Sequence, residues 1–395
     1  MSKIIHGDSL VELAGLEDAS VDAVVTDPPY GLSGHPDMTE MLAAWISGRE
    51  YSPGKTGFMG REWDKFVPGP AVWKECLRML KPGGYALVFA GSRTQDLMGL
   101  ALRMAGFEIR DSIAWLYGTG YPAGSSNTDV AGEKWGTRLK PGHEPVLVAR
   151  KPLEGLLAEG SATGRYNIDA CRVPVEAADF ERLQTGVEAV RSKGGSRDMS
   201  WGNSSDLSGA NPASLLGRWP ANVALDEEAA SELDATVGPR KGMSGGGKHR
   251  PGYQESMFGG ADASEGHVRG DVGGASRFFY CAKASSQERE RGLESFPVLT
   301  TRELVGRKEG SRGTQTPAAG AGRGGGRRNP HPTVKPVALM EWLVRMVTQP
   351  GGLVLDPFCG SGTTGIAAKR QGFHFVGIER EWQYVEVARA RIEAE

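Results

Sequence analysis

Asp27-Pro28-Pro29-Tyr30 and Asp356-Pro357-Phe358-Cys359-Gly360-Ser361-Gly362-Thr363 are the two stretches that decide the fold of this chain. Each stands at the end of a short, mostly apolar run, residues 21–26 in the first case and 353–356 in the second. Short apolar runs bounded by turn residues are typical of buried strands. Open α/β sheets bind ligands in the crevice outside the carboxyl ends of their strands. We therefore expect each stretch to lie at the ligand crevice of an open α/β sheet.

The second stretch has the features of a cofactor turn. Gly360 and Gly362 let the backbone turn sharply and approach a ligand without a Cβ in the way. The helix that should follow would present free N–H groups to that ligand. Glu379 ends the next apolar run, and an acid about 20 residues beyond such glycines can accept the ribose hydroxyls of a nucleoside. A phosphate-binding P-loop is excluded, because no Lys-Ser or Lys-Thr follows the glycines.

The first stretch combines an acid, two prolines and an aromatic ring. An ionised carboxylate only accepts hydrogen bonds, so Asp27 can accept one from an exocyclic amine. Proline fixes φ and has no N–H, so the Pro28-Pro29 segment would direct the Pro28 carbonyl at the second amine hydrogen. Tyr30 offers a ring face on which a base can stack. The stretch therefore predicts a site for a planar base that carries an amine.

Composition places the chain among globular proteins and limits its partners. Hydrophobic residues make up 39% and charged residues 24%, which is typical of a domain with a sizeable core. The formal charge of −2 gives no overall attraction to nucleic acid, so DNA contacts would need local basic surfaces. The four cysteines form no CxxC pair, which argues against structural zinc and disulfides and fits a reducing cytoplasm. No signal region or stretch of transmembrane length is present, so we expect a cytoplasmic protein without membrane or metal partners.

Strands and helices are predicted to alternate in both flanks of the chain. The strands are expected at residues 3–6, 21–26, 85–90, 107–116, 145–149, 353–356 and 373–379. Helices are expected at residues 8–16, 71–80, 94–105, 337–347 and 364–371, with a last one closing the chain. The segment 31–69 is expected to be a long functional connection. This alternation predicts a mostly parallel sheet covered on both faces.

The middle of the chain has a different composition. Segments 192–217, 238–276 and 306–329 are low in aliphatic residues and rich in Gly, Ser, Arg and Asn. Three denser islands lie between them, at residues 164–175, 217–225 and 276–283. Such a composition predicts flexible, solvated connections between small ordered pieces.

The motifs resemble those of the DNA amino-methyltransferases, which use S-adenosylmethionine to methylate adenine N6 or cytosine N4. Their order, with Asp27-Pro28-Pro29-Tyr30 first, is similar to that of the β group of this family. His331-Pro-Thr-Val-Lys-Pro336 also matches a motif that precedes the family's cofactor turn. The middle, with Arg218-Trp219-Pro220 and Phe278-Phe279-Tyr280, resembles variants common on phages and prophages.

The resemblance implies a role for each motif residue. Asp27, Pro28, Pro29 and Tyr30 would be the catalytic residues. The cofactor would be held by Asp8, Thr333, Lys335, Asp356, Phe358, Gly360, Ser361, Gly362, Thr363 and Glu379. Within this set, Glu379 would bind the ribose and Asp8 would face the adenine. Thr333 and Lys335 would contact the methionine carboxylate, for which a lysine is a suitable point charge.

The family fold implied by the resemblance is a Rossmann-like, circularly permuted α/β domain with a mostly parallel, seven-stranded sheet. In that fold the strand ending at Asp356 lies beside the strand ending at Thr26. Residues 1–151 would form the N-terminal, base-binding part of the catalytic domain, and residues 331–395 its C-terminal, cofactor-binding part. Residues 152–330 would be an inserted, partly flexible target-recognition region.

The sequence thus predicts a site-specific DNA methyltransferase, of the kind found in restriction-modification, acting on adenine N6 of a flipped-out base. The partner would be double-stranded DNA, and a homodimer stays open. Cytosine N4 is the nearest alternative. In the family, an Asp at the position of Asp27 favours adenine and a Ser favours cytosine, but this preference is not a rule. Methylation of RNA or of a protein amide is disfavoured by the motif order. A non-catalytic DNA-binding protein with the same fold is disfavoured by the intact motif residues.

Arginines in the middle are the candidate phosphate contacts. Lysine and arginine on such a segment can position a protein on DNA without reading its sequence. We predict DNA contacts for Arg218, Arg323, Arg327 and Arg328. An ordinary solvated linker is the alternative for the basic, glycine-rich part of this region.

Overall fold

The structure is a computed structural model of the 395-residue chain. It describes residues 1–32, 35–54, 62–118, 120, 126–153, 164–175, 213–214, 217–241, 272–282, 286–300, 303–304 and 326–395. The described strands are β1 (Ser2–His6), β2 (Val21–Thr26), β3 (Leu80–Phe89), β4 (Glu108–Leu116), β5 (Ser126–Thr128), β6 (Lys134–Gly136), β7 (His143–Arg150), β8 (Ala213–Ser214), β9 (Gly217–Arg218), β10 (Val223–Asp226), β11 (Arg240–Lys241), β12 (Val272–Gly273), β13 (Tyr280–Ala282), β14 (Leu353–Asp356) and β15 (His374–Glu379).

The α-helices lie mainly in the two flanks. They are α1 (Ser9–Ala14), α2 (Met38–Ile46), α3 (Pro70–Met79), α4 (Gln95–Ala105), α5 (Glu227–Val237), α6 (Ser286–Glu290), α7 (Val337–Val347), α8 (Thr363–Arg370) and α9 (Trp382–Glu393). In the described parts of the chain, no helix is long and apolar enough to cross a membrane.

One large sheet organises the described structure, in the order β1-β15-β14-β2-β3-β7-β4-β10-β13. Neighbouring strands run parallel except where β7 pairs with β3 and β4. The prediction of a mostly parallel α/β sheet is therefore confirmed. The predicted number of seven strands is wrong for this sheet, which contains nine. The flanks contribute the first seven, and the middle of the chain adds β10 and β13 at the β4 edge, where β10 pairs with β4 over Val223–Leu225.

The two ends of the chain build one half of this sheet together. β1 pairs with β15 along its whole length, from Ser2 opposite Phe375 to His6 opposite Glu379. β14 lies between β15 and β2, with Val354 opposite Ala23. The predicted neighbourhood of the strands ending at Asp356 and Thr26 is therefore confirmed.

Helices cover both faces of the sheet, as the alternation predicts. Successive residues of a strand point to opposite faces, and β2 is buried on both: Val25 joins a core that contains α7 and α8, whereas Val24 joins a core that contains α3 and α4. Trp342 on α7 and Trp73 on α3 are fully buried anchors of the two cores.

The segment expected to be a connection, residues 31–69, contains helix α2. The carboxylate of Asp37 accepts hydrogen bonds from the Thr39 and Glu40 N–H groups, at 2.9 and 3.0 Å, and thereby caps the helix start. Met41 and Trp45 bury the inner face of the helix. The Asp cap and the spacing of these apolar residues are helix signals. The Gly, Pro and Met residues around them favoured a connection without a helix.

Each of the three denser islands in the middle contains ordered structure. Residues 164–175 include a short 3-10 turn whose Cys171 is buried beside Trp342. Residues 217–225 and 276–283 supply most of β10 and β13. Much of the intervening Gly- and Ser-rich sequence lies outside the described residues.

Candidate active site

The two motif strands are joined by a buried hydrogen bond between their ends. Thr26 Oγ1 donates to Asp356 Oδ1 over 2.6 Å, and Thr364 Oγ1 donates to the other carboxylate oxygen, also over 2.6 Å. The Phe358 N–H adds a third bond of 3.1 Å. Burial raises the pKa of Asp356 to about 6, although these three donors oppose the rise. Asp356 therefore ties β14, β2 and the start of α8 together, and its carboxylate is occupied within the protein.

The acid-proline loop is fixed by two side chains from other elements. Asp64 Oδ1 accepts from the N–H groups of Tyr30 and Gly31, at 2.9 and 3.1 Å. Thr94, at the start of α4, donates its hydroxyl to the Tyr30 carbonyl over 2.6 Å. Both Asp64 and Thr94 are buried. The backbone that carries Asp27 and the prolines is therefore held from both sides.

Asp27 is in contact with Lys335. Lys335 Nζ donates to Asp27 Oδ2 over 2.6 Å and lies 3.1 Å from Glu144 Oε2, which in turn accepts from the Tyr30 hydroxyl over 2.9 Å. Burial alone would lower the pKa of the Lys335 ammonium, but the two carboxylates outweigh it and raise that pKa. Burial, together with the Asp27 and Glu144 charges, also raises the pKa of Tyr30, so the phenol stays protonated.

The glycine turn lies beside the end of β15. Gly360 and Gly362 have φ values of 51° and 81°, in the left-handed region that favours glycine. A Cβ on Gly360 would lie 2.8 Å from His331 Nε2. Glu379 accepts from the N–H groups of Gly360 and Glu381, each at 2.8 Å. Burial raises the pKa of Glu379, while these two N–H groups oppose the rise.

A buried arginine supports the turn from behind. Arg391 on α9 donates to the carbonyl and the hydroxyl of Ser361, at 2.6 and 3.0 Å, and to Thr363 Oγ1 at 3.3 Å. Burial and, to a lesser degree, the nearby Arg289 lower the pKa of Arg391 to about 10. The side-chain oxygens of Ser361 and Thr363 are therefore engaged by the protein itself, and the turn would meet a ligand through its backbone.

The other predicted cofactor residues surround this turn at varying depth. Asp8 is exposed, follows β1 and caps α1 by accepting from the Leu10 N–H over 3.0 Å. Phe358 is half-buried and packs against Trp73, with 6.1 Å between the ring centroids. Thr333 is exposed, and its carbonyl lies 2.7 Å from His331 Nδ1. Asp8 and Thr333 thus lie at the surface near the turn, whereas Lys335 extends to the acid-proline loop.

Comparison with known proteins decides the family. A family model described as DNA methylase, covering N6 and N4 methyltransferases, matches residues 21–390. The chain belongs to this family. Two curated relatives are type II methyltransferases: M2.DpnII of Streptococcus pneumoniae, 52% identical over 65 residues, and M2.LlaDCHI of Lactococcus lactis subsp. cremoris, 45% identical over 62 residues. These matches cover 16% of this chain in each case and about a quarter of the relatives' length, 24% and 23%.

Solved structures of DNA methylases also align with the chain. The cytosine-N4-specific PvuII DNA methyltransferase is 16% identical, with a TM-score of 0.44, 99% of this chain covered and 86% of that one. The M1.HpyAVI–SAM complex is 16% identical, with a TM-score of 0.40 and 99% of both chains covered. A putative DNA modification methylase from Thermus thermophilus, complexed with S-adenosyl-L-methionine, is 19% identical, with a TM-score of 0.42 and 99% and 95% covered.

The predicted DNA contacts lie in different environments. Arg218 is buried, and its guanidinium donates to the carbonyls of Pro174 and Arg277, at 3.4 and 3.1 Å. That environment is typical of a structural arginine and argues against a phosphate contact. Arg327 is exposed and Arg328 is half-buried, while Arg323 lies outside the described residues.

Two residues of the candidate site have no counterpart among the sequence predictions. Glu144 stands at the start of β7, and Asp64 in a 3-10 turn before α3. An acid directly before a buried strand was the available signal for Glu144. The sequence predicted a mostly parallel sheet, and the start of a parallel strand lies at the edge opposite the ligand crevice. Because β7 is antiparallel to β3, its start lies at the crevice edge instead.

Among the described residues, no group of three or more His, Cys, Asp or Glu side chains is arranged to hold a metal ion.

Proposed function

We propose that this chain transfers a methyl group from S-adenosylmethionine to the exocyclic N6 amine of adenine in double-stranded DNA. The observation that carries the proposal is the hydrogen bond between Thr26 and Asp356. It joins the strand that ends in the acid-proline loop to the strand that ends in the glycine turn. A base held at Asp27 and a cofactor held at Gly360 would therefore meet at one edge of the sheet, which is where open α/β sheets bind ligands.

The residues of the turn fit a nucleoside-bearing cofactor. Gly360 and Gly362 adopt positive φ, and the start of α8, like any helix start, has backbone N–H groups without intrahelical acceptors. Each Glu379 oxygen accepts one backbone N–H and keeps a further lone-pair site, so the carboxylate can still accept both ribose hydroxyls. When bound, S-adenosylmethionine supplies an electrophilic methyl group on a sulfonium.

The chain's own contribution to the reaction is orientation of the target amine. The Asp27 carboxylate and the Pro28 carbonyl would accept its two hydrogens, which directs the nitrogen lone pair out of the ring plane. The Tyr30 ring would stack on the base. Asp64 and Thr94 fix the backbone at Tyr30, directly after the two prolines. Such preorganisation accounts for much of enzymatic rate enhancement.

The base must leave the duplex to reach these acceptors, because an exocyclic amine inside the stack cannot approach a buried loop. Unpairing costs a few kcal/mol, on the order of a single stacking and pairing interaction. Contacts with the phosphate backbone would offset that cost, and exposed Arg327 is a candidate for such a contact.

The test is incubation of the purified protein with S-adenosylmethionine and unmodified genomic DNA, followed by mass spectrometry of the nucleosides. We expect N6-methyldeoxyadenosine, absent when Asp27→Ala protein is used. Single-molecule sequencing of the same DNA would give the sequence context. N4-methyldeoxycytidine as the product would correct the base. DNA binding without any methylated nucleoside would favour a non-catalytic DNA-binding protein.

A further inference from the structure

Three charged side chains meet at the acid-proline loop, one buried and two partly buried. Asp27 and Glu144 are negative, and the Lys335 ammonium lies between them, 2.6 Å from Asp27 Oδ2 and 3.1 Å from Glu144 Oε2. The Lys335 side chain is only 7% exposed, and its ammonium lies over the rings of Tyr30 and Phe89, at 5.3 and 4.9 Å. The group carries one net negative charge.

The contact between Lys335 and Asp27 conflicts with the role proposed for Asp27. The oxygen that accepts the ammonium, Oδ2, is one of the two Asp27 oxygens that could accept the target amine. During attack on the methyl group, positive charge develops on the amine nitrogen. A cation beside Asp27 would oppose that charge, whereas catalytic sites place complementary charge where charge develops. The ammonium must therefore lie elsewhere when the base is bound.

Glu144 is the acceptor that can hold it. Its carboxylate is already 3.1 Å from Lys335 Nζ and is fixed by the Tyr30 hydroxyl. It stands on β7, which is hydrogen-bonded to strands on both sides. Lysine has a long flexible stem and an ammonium with freely rotating donors, so the ammonium is the group that moves. A shift toward Glu144 keeps it paired, which avoids the large cost of an unpaired buried charge.

We propose that Glu144 is a positioning residue for methyl transfer, which draws the Lys335 ammonium off Asp27 so that Asp27 can accept the target amine. This inference rests on the proposed function for its catalytic consequence. The contact between Glu144 and Lys335 itself does not depend on any activity.

The kinetic test uses Glu144→Gln, which keeps the side-chain shape and removes the charge. With unmodified genomic DNA and S-adenosylmethionine, we expect the single-turnover rate to fall about 10- to 100-fold, a typical loss for a misplaced acceptor group. Affinity for the cofactor and for DNA should change less than twofold. Glu108→Gln is the matched control, because it removes a carboxylate that pairs with Arg150 on the same sheet.

The double variant Glu144→Gln/Lys335→Met separates positioning from a structural role. Without the ammonium, Asp27 is free again, so the double variant should transfer methyl at least tenfold faster than Glu144→Gln alone. A Glu144 that only supports the fold would give a double variant as slow as, or slower than, the single one. That result, or a Glu144→Gln rate within twofold of the unmodified protein, would overturn the proposal.

A measurement without activity distinguishes failure of this inference from failure of the proposed function. In ¹⁵N-lysine NMR spectra of the whole protein at neutral pH, the signal lost in Lys335→Met should move in Glu144→Gln and stay in place in Glu108→Gln. An unmoved signal in Glu144→Gln would refute the contact. A moved signal in a protein that methylates no base would keep the contact and refute the proposed function.

Discussion

Removal of the Thr26 hydroxyl tests the hydrogen bond between Thr26 and Asp356, which joins the two motif strands. Thr26→Val keeps the shape of the side chain but deletes the donor to Asp356 Oδ1, in a position where Thr26 is fully buried. Asp356 would retain two donors, the Thr364 hydroxyl and the Phe358 N–H. The free energy of unfolding should fall, and the loss should depend on pH.

The magnitude follows from the protonation state of Asp356. With its pKa raised to about 6, the carboxylate is ionised at pH 8, and a hydrogen bond to a charged group contributes about 1.5–3 kcal/mol. At pH 5 the carboxyl is mostly protonated, and a neutral hydrogen bond contributes about 0.5–1.5 kcal/mol. The difference of roughly 1 kcal/mol corresponds to a further rise in the pKa of about 0.7 units.

The sign is fixed by proton linkage. Because the pKa of Asp356 is raised on folding, the folded protein binds more protons than the unfolded chain between pH 3.8 and about 6. Its contribution to the free energy of unfolding is therefore present at low pH and falls as the pH rises through that window. In Thr26→Val the folded pKa is higher still, so the decline continues to a higher pH.

Urea unfolding monitored by tryptophan fluorescence, at pH 5 and pH 8, measures both values. Thr26→Ser is the control, since it keeps the hydroxyl and should show a loss that is equal at the two pH values. A Thr26→Val loss that is the same at pH 5 and pH 8, or below about 0.5 kcal/mol at pH 8, would refute the ionised hydrogen bond.

Three further outcomes are expected. Asp27→Ala should abolish methyl transfer, at a cost on the order of 2–4 kcal/mol in transition-state stabilisation or more, while calorimetry shows nearly unchanged cofactor affinity; substantial activity in the folded variant would contradict the mechanism. Glu379→Ala should raise the dissociation constants of S-adenosylmethionine and of its demethylated product alike, and unchanged constants would make Glu379 a structural strand-end acid. Neutralising Arg323, Arg327 and Arg328 together should weaken DNA binding and flatten its salt dependence without altering cofactor affinity; an unchanged salt slope would leave that segment a linker.

The fold of the flanks was predictable because their strands are short, apolar and bounded by turn residues. β2 and β14 lie at the residues predicted for them, and α7 does as well. The two added strands were not predictable in the same way. β10 and β13 contain only four and three residues, too few for periodicity to distinguish a strand from any other apolar island.

Residues of the candidate site could be predicted where they stand in one local motif. They could not be predicted where a distant segment of the chain supplies the hydrogen-bond or ion-pair partner. Asp27 and Gly360 stand in recognisable local patterns. Asp64 and Glu144 stand in none, because their function depends on where the chain returns to the crevice. The position of Lys335 illustrates the same limit: its charge suggested an anionic ligand, and the structure gives it the anions of Asp27 and Glu144.

The added strands also bear on how a target base could reach the site. β10 pairs with β4, and β13 pairs with β10, so part of residues 152–330 continues the main sheet. A second contact holds another part of residues 152–330. Arg391 on α9 donates to the Glu288 carbonyl and thereby joins α6 to α9, the helix that packs against the glycine turn. A hinge motion of β10, β13 and α6 relative to the flanks would break this strand pairing and the Arg391 contact. We therefore expect the DNA to deform toward a fixed crevice, with the base moving to Asp27 rather than the protein closing around it.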